Sequence, residues 1–220
     1  MDAQQAIYRD GMAYDEADAH LAGSDPVMAQ LVHRYGPIAP PDVDAPPDLF
    51  GALIMAIVRQ QLATAAATAI YGRLLHYFGD HVPTPDALLR AGPDLRSTAG
   101  LSHAKERALR SLAERIQGGQ LDLDRLPSLP DEEVFRSLTS VPGIGEWTAG
   151  AFMMFRLHRT DVVLAGDLGL RKAAQLAYQL DELPRPKTLE AIATPWRPYR
   201  TRACFYLWAS VTNDWPPVAA

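Results

Sequence analysis

The sequence predicts an all-α protein. Three observations carry that expectation. Apolar residues recur at spacings of three and four along most of the chain, no run of β-branched residues alternates with polar ones, and glycine or proline punctuates the apolar segments at regular intervals. With 220 residues, 48% of them hydrophobic and 21% charged, the chain can bury one substantial core or two modest ones. Disordered and collagen-like classes are excluded. The longest apolar run, Leu49 to Val58, stops at Arg59 and is too short to span a bilayer, and the start Met1-Asp2-Ala3-Gln4-Gln5 lacks the basic and apolar regions of a signal peptide. No membrane association is expected, and the cytoplasm is the expected compartment. The single cysteine, Cys204, excludes an internal disulfide, a four-cysteine zinc site and a four-thiolate iron–sulfur cluster, and reads as a core thiol.

The elements follow in order. Asp25-Pro26 before Val27, Met28, Leu31 and Val32 predicts a helix with an aspartate N-cap and proline at its first position, ending near Gly36. Residues 36–48 form a proline-rich connector. Phe50, Ile54, Ile57 and Val58 line one core helix, and Ala66, Ile70, Leu74 and Phe78 line another that stops at Gly79. Ser102 caps a helix carrying Leu109, Leu112, Ala113 and Ile116 as far as Gly118-Gly119. Pro130-Asp131 opens one carrying Val134, Phe135 and Leu138. The net charge of −5 is uneven: residues 1–48 hold nine acidic side chains against two basic ones, whereas 156–202 hold nine basic against five acidic. A global basic field for nucleic acid is absent, but the back third is locally positive.

The stretch from Leu138 to Ala151 reads as a helix end, a tight Pro142-Gly143-Ile144-Gly145 turn and a second helix. The glycines let the backbone turn sharply and leave N–H groups uncovered at a helix N-terminus, where an anion is favoured. If that anion is a DNA phosphate, Gly143 and Gly145 donate backbone N–H bonds, Thr148 adds its hydroxyl and Ile144 plugs the turn into the core. Such contacts carry no base sequence information. A plain corner between helices accounts for the same residues, and the turn alone does not separate the two.

The hairpin resembles the helix-hairpin-helix motif of the base-excision DNA glycosylases. Downstream, Val163-Leu-Ala-Gly166-Asp167-Leu-Gly-Leu-Arg-Lys172 resembles that superfamily's loop ending in its catalytic aspartate. Ile57-Val-Arg-Gln60-Gln61-Leu-Ala-Thr-Ala-Ala66, Gly100-Leu101-Ser102 before Lys105, and Pro195-Trp196-Arg197-Pro198-Tyr199-Arg200 before Tyr206-Leu207-Trp208 are similar to the 3-methyladenine DNA glycosylase II (AlkA-like) branch. The resemblance implies two helical lobes with a cleft between them: 49–163, carrying the hairpin 138–151, and 19–48 with 164–220, carrying the aspartate loop. Residues 1–18 are then an acidic leader. It implies a monomeric, monofunctional glycosylase that flips alkylated bases (3-methyladenine, 7-methylguanine type) out of double-stranded DNA and leaves an abasic site.

Breaking an N-glycosidic bond builds positive charge on the sugar, so a fixed carboxylate is the group required, and Asp167 is the candidate. The same residue is placed to N-cap the helix starting at Leu168, a role compatible with the first. Trp147 stands where lyase relatives carry a Schiff-base lysine, and an indole cannot form that imine. By the resemblance, Trp147, Trp196 and Leu168 line the base pocket, and Gln61 is the wedge that fills the vacated stack while Gln60 braces its loop. Arg171 and Arg197 are expected to attract phosphates. The backbone carbonyls of Thr139, Val141 and Ile144 are expected to hold a monovalent ion, Na+ or K+, with no other cofactor and no iron–sulfur cluster. Gly166 and Leu168 depart from the family pattern and widen the site. A glycosylase for a neutral lesion such as uracil or a thymine mismatch, or a non-catalytic damage-binding module, are the competing readings.

Overall fold

The computed structural model describes residues 12–38, 46 and 48–211. The first eleven residues of the expected leader, most of the connector and the tail after Val211 lie outside the described residues. All regular structure among the described residues is helical. The chain divides into two units, one of residues 44–152 and one joining the N-terminal residues up to 43 with those from Met153 onward.

The 44–152 unit is built around the helix Leu49–Arg59, α3 in chain order. This helix is apolar on every face, which places it inside: Phe50, Ala52, Leu53, Ile54, Ile57 and Val58 are all buried. Around it pack α4 (Thr64–Tyr77) and α7 (His103–Gln117), which contribute the buried Leu74, Leu109 and Leu112. The short helices α5 (Pro85–Arg90) and α6 (Leu95–Ala99) lie against α7 and α4 respectively. The caps are those the residue types demand. The Ser102 hydroxyl accepts the Lys105 N–H at 3.2 Å, and Thr84 accepts the Ala87 N–H at 3.1 Å. After η-turn 126–128, α8 (Asp131–Thr139) leads into the hairpin and α9 (Glu146–Phe155).

The other unit holds α1 (Met12–Ser24), α2 (Pro26–Tyr35), α10 (Leu168–Ala177), α11 (Pro186–Ile192) and α12 (Arg200–Val211). Helix α12 is its centre, with Thr201 to Leu207 buried on every face. The boundary between units falls inside α9 rather than at 163–164, because Phe155 already belongs to the second core: it stacks on Phe205 at 6.0 Å and Trp208 at 6.2 Å between ring centres. The expected division between leader and lobe at residue 18 also fails. Helix α1 starts at Met12, Ala17 and Leu21 are buried, and Asp18 forms a buried ion pair with Arg202 at 2.7 and 2.8 Å. Arg202 also donates to the Ile38 carbonyl and to the Tyr206 hydroxyl, and its guanidinium lies over the rings of Tyr14 and Tyr206. Part of the acidic excess at the N-terminus is thus neutralised internally.

Asp25 ties three elements together. One carboxylate oxygen caps α2 by accepting the Val27 and Met28 N–H groups at 2.8 and 3.2 Å. The other accepts the Tyr178 hydroxyl at 2.5 Å and the Trp196 indole N–H at 3.0 Å. No helix among the described residues is long and apolar enough to cross a membrane. Replacing Asp25 by alanine strips the cap and leaves a buried indole N–H without an acceptor, so urea unfolding of Asp25→Ala should show a loss of about 3 kcal/mol.

Candidate active site

The hairpin turn is fixed from below by apolar anchors and from the side by a glutamine. Val141 and Ile144 are buried, and the Ile144 N–H donates to the Val141 carbonyl at 3.0 Å. Gly143 has φ +95°, and a Cβ there would sit 2.3 Å from the Ala108 Cβ of α7. Glycine is therefore required twice over, by backbone conformation and by space. A Cβ at Gly145 would meet nothing within 4 Å. That position has open space beside its backbone.

Gln60, expected to brace its own loop, instead reaches across to the hairpin turn. Its side-chain amide donates to the Gly143 carbonyl at 2.8 Å and to the Thr148 hydroxyl at 3.1 Å. Thr148 is corrected by this bond: it lies buried on the inner face of α9, so its hydroxyl stabilises the turn from within instead of reaching outward. Gln61 is exposed and holds φ +58°, the left-handed region that a glutamine occupies at a cost. Trp147, in the first turn of α9, is 53% exposed, although a residue of its size is normally covered.

Asp167 is half-buried at the N-cap of α10, where its Oδ1 accepts the Leu170 N–H at 2.6 Å. The Trp208 indole N–H donates to the same oxygen at 3.2 Å. Two donors from different helices fix the plane of the carboxylate, and its negative charge complements the helix N-terminus. A Cβ on Gly169 would lie 3.1 Å from Oδ1, so this glycine keeps the carboxylate uncrowded. Trp208 and Gly169 are contributors that sequence reasoning did not assign. A donor-bearing aromatic one helix away cannot be paired with an aspartate from spacing alone. Leu168, next in the chain, is 51% exposed. Beneath them Cys204 is fully buried, and burial pushes its thiol up to about 12, so it is inert.

Other expected site residues are placed differently. Trp196 is 0% exposed, with its indole N–H given to Asp25; it belongs to the core and offers no face to a base. Arg171 donates from Nε to the Pro184 carbonyl at 2.7 Å, anchoring α10 to the following loop. Arg197 is exposed but pairs with Asp161 at 2.9 Å, and the same carboxylate holds Arg200 at 2.6 Å. Both arginines thus spend donors inside the fold, which reduces what they can give to phosphates. The carbonyls of Thr139, Val141 and Ile144 are neutral oxygen donors of the kind a hard monovalent cation accepts, with Val141 already taking one amide N–H. No group of three or more His, Cys, Asp or Glu suited to a metal ion occurs among the described residues.

A glycine turn between two helices, braced by Gln60, and a helix-capping aspartate some twenty residues on define a helix-hairpin-helix protein. The chain belongs to the HhH-GPD superfamily of base excision DNA repair proteins, whose family model matches residues 54–198. It is 30% identical over 195 residues to DNA-3-methyladenine glycosylase 1 of Schizosaccharomyces pombe, covering 88% of this chain and 86% of that one. The solved structure of the S. pombe 3-methyladenine DNA glycosylase in complex with abasic DNA aligns with a TM-score of 0.77 at 30% identity, over 90% of this chain and 99% of that one. The DNA-3-methyladenine glycosidase of Bacillus halodurans aligns with a TM-score of 0.79 at 35% identity, over 89% of each chain.

Two substitutions test the strained turns through stability alone. Gly143→Ala should cost on the order of 2 kcal/mol, since its Cβ must displace Ala108 and its φ must change. Gln61→Gly should raise stability by up to about 1 kcal/mol by relieving the left-handed conformation, a gain read from the denaturant midpoint.

Proposed function

We propose that this protein is a DNA glycosylase of base excision repair that removes alkylated bases of the 3-methyladenine and 7-methylguanine type from double-stranded DNA by hydrolysis, acting as a monomer and without lyase activity. The observation that carries the proposal is Asp167: a half-buried carboxylate held by the Leu170 and Trp208 N–H groups at the start of α10. Family membership and the named relatives support the substrate class.

The chemistry follows from charge. An alkylated purine is cationic and leaves as a neutral base, so the bond to C1′ lengthens while positive charge builds on the deoxyribose ring. Asp167 stabilises that charge and orients the attacking water, accepting its proton as the C1′–O bond forms. Because the leaving group is already activated, no general acid is needed. The exposed face of Trp147 stacks on the extruded cationic base, a contact favoured by the quadrupole of the indole. The region from Leu138 to Ala151 contains no lysine, so no Schiff base forms there and the product is an intact abasic strand. Gln61, exposed on its strained turn, fills the gap left in the duplex. Backbone amides of Gly143 and Gly145 bind phosphate, and the carbonyls of Thr139, Val141 and Ile144 would hold a monovalent cation, which would add positive charge at the turn.

Incubation with methylated duplex DNA should release free 3-methyladenine and 7-methylguanine, with strand breaks appearing only after alkali and no borohydride-trapped adduct. Asp167→Asn should slow release by about 10²-fold or more while leaving duplex binding intact; release at the unmodified rate would sink the mechanism. Trp208→Phe keeps the aromatic stack but removes one donor, and should lower kcat by roughly three- to tenfold with little change in KM or melting temperature.

A further inference from the structure

The end of α3 poses a problem that one lysine solves. A helix leaves its last carbonyls without intrahelical partners, at the negative end of its dipole. Lys105, in the first turn of α7, places its ammonium across that end and donates to the Val58 carbonyl at 2.7 Å and the Gln60 carbonyl at 2.9 Å. Both bonds are charge-assisted. The next residue is Gln61, turned into the left-handed region. Gln60 continues the link, because its side-chain amide reaches the Gly143 carbonyl and the Thr148 hydroxyl. Ala108, three residues after Lys105 on the same face of α7, is the residue against which Gly143 closes. One helix face therefore grips both the turn that presents Gln61 and the turn that presents the hairpin amides. Burial lowers the Lys105 pKa from its ordinary value, which is the cost of holding a cation there and is offset by the two carbonyls.

We propose that Lys105 is a positioning residue for base extrusion, holding Gln61 in fixed register with the hairpin turn so that phosphate anchoring and insertion into the duplex occur together. The proposal rests on the glycosylase function given above, with Gln61 as the wedge. A wedge acts at a set offset from the anchored backbone, and small misplacements of a group on which extrusion depends are costly in rate.

The test uses single-turnover excision of 7-methylguanine from a duplex, the fluorescence of 2-aminopurine beside the lesion as a report of unstacking, and the Kd for undamaged duplex. Lys105→Met, which keeps the aliphatic stem and loses the donors, should reduce excision and the fluorescence rise by about tenfold, Gln61→Ala should do the same, and the double variant should be no worse than either. The undamaged-duplex Kd should move less than about threefold, since the hairpin amides remain. Lys105→Cys should share the defect and recover on aminoethylation, which rebuilds the ammonium; buried Cys204 does not compete for the reagent. Additive losses in the double variant, or no recovery on aminoethylation, overturn the assignment, as does a parallel fall in excision, duplex binding and melting temperature. Unmodified protein that releases no base from methylated DNA would instead overturn the glycosylase function itself.

Discussion

The ends of helices organise this molecule. In a chain whose described regular structure is all helical, every element leaves amide N–H groups at one end and carbonyls at the other that the helix cannot satisfy. Asp25 and Asp167 each take amides at a helix start, and Lys105 takes carbonyls at a helix finish. In each case a charged side chain is matched to the sign of the helix dipole, and the two aspartates are also held by an indole N–H from elsewhere in the chain. A candidate functional group arises where such a side chain is ordered and still partly exposed, as at Asp167.

Asp25 and Asp167 show how context divides one chemical solution into two roles. Both are N-caps, and both accept an indole N–H, from Trp196 and Trp208 respectively. Asp25 is buried and also receives the Tyr178 hydroxyl, so its charge is consumed in joining α2 to the segment around Trp196. Asp167 is only half-buried, and the residues beside it are small or exposed: Gly166, Leu168 and Gly169. Asp167 is therefore positioned and still reachable, as the catalytic role proposed for it requires. The tryptophans differ in exposure in the same way, since Trp196 is fully buried while Trp147 is half exposed.

Electrostatics are local throughout. The net charge of −5 does not describe any one surface, because Asp18 is cancelled by Arg202 inside the fold and Asp161 holds Arg197 and Arg200. The basic excess read from residues 156–202 is therefore partly spent on structure. Backbone amides at the hairpin, which need no charged side chain, suit a protein whose overall field is not positive.

Much of the architecture was legible from residue order. Caps, prolines and glycines announced α2, α7 and α8, apolar spacing announced α3 and α4, and the Pro142 to Gly145 turn and Asp167 stood out as linked motifs, because these signals are written in residues a few positions apart. Helix α1 was hidden in an acidic stretch, since its Asp18 is matched by Arg202, distant in sequence, and its Ala17 and Leu21 are covered only by tertiary packing. The burial of Trp196 and Thr148, the commitment of Arg171 and Arg197, and the support of Asp167 by Trp208 belong to the same class. Spacing along a chain reveals what a residue can do; which partner claims its hydrogen bonds is a matter of the packing of helices far apart in sequence.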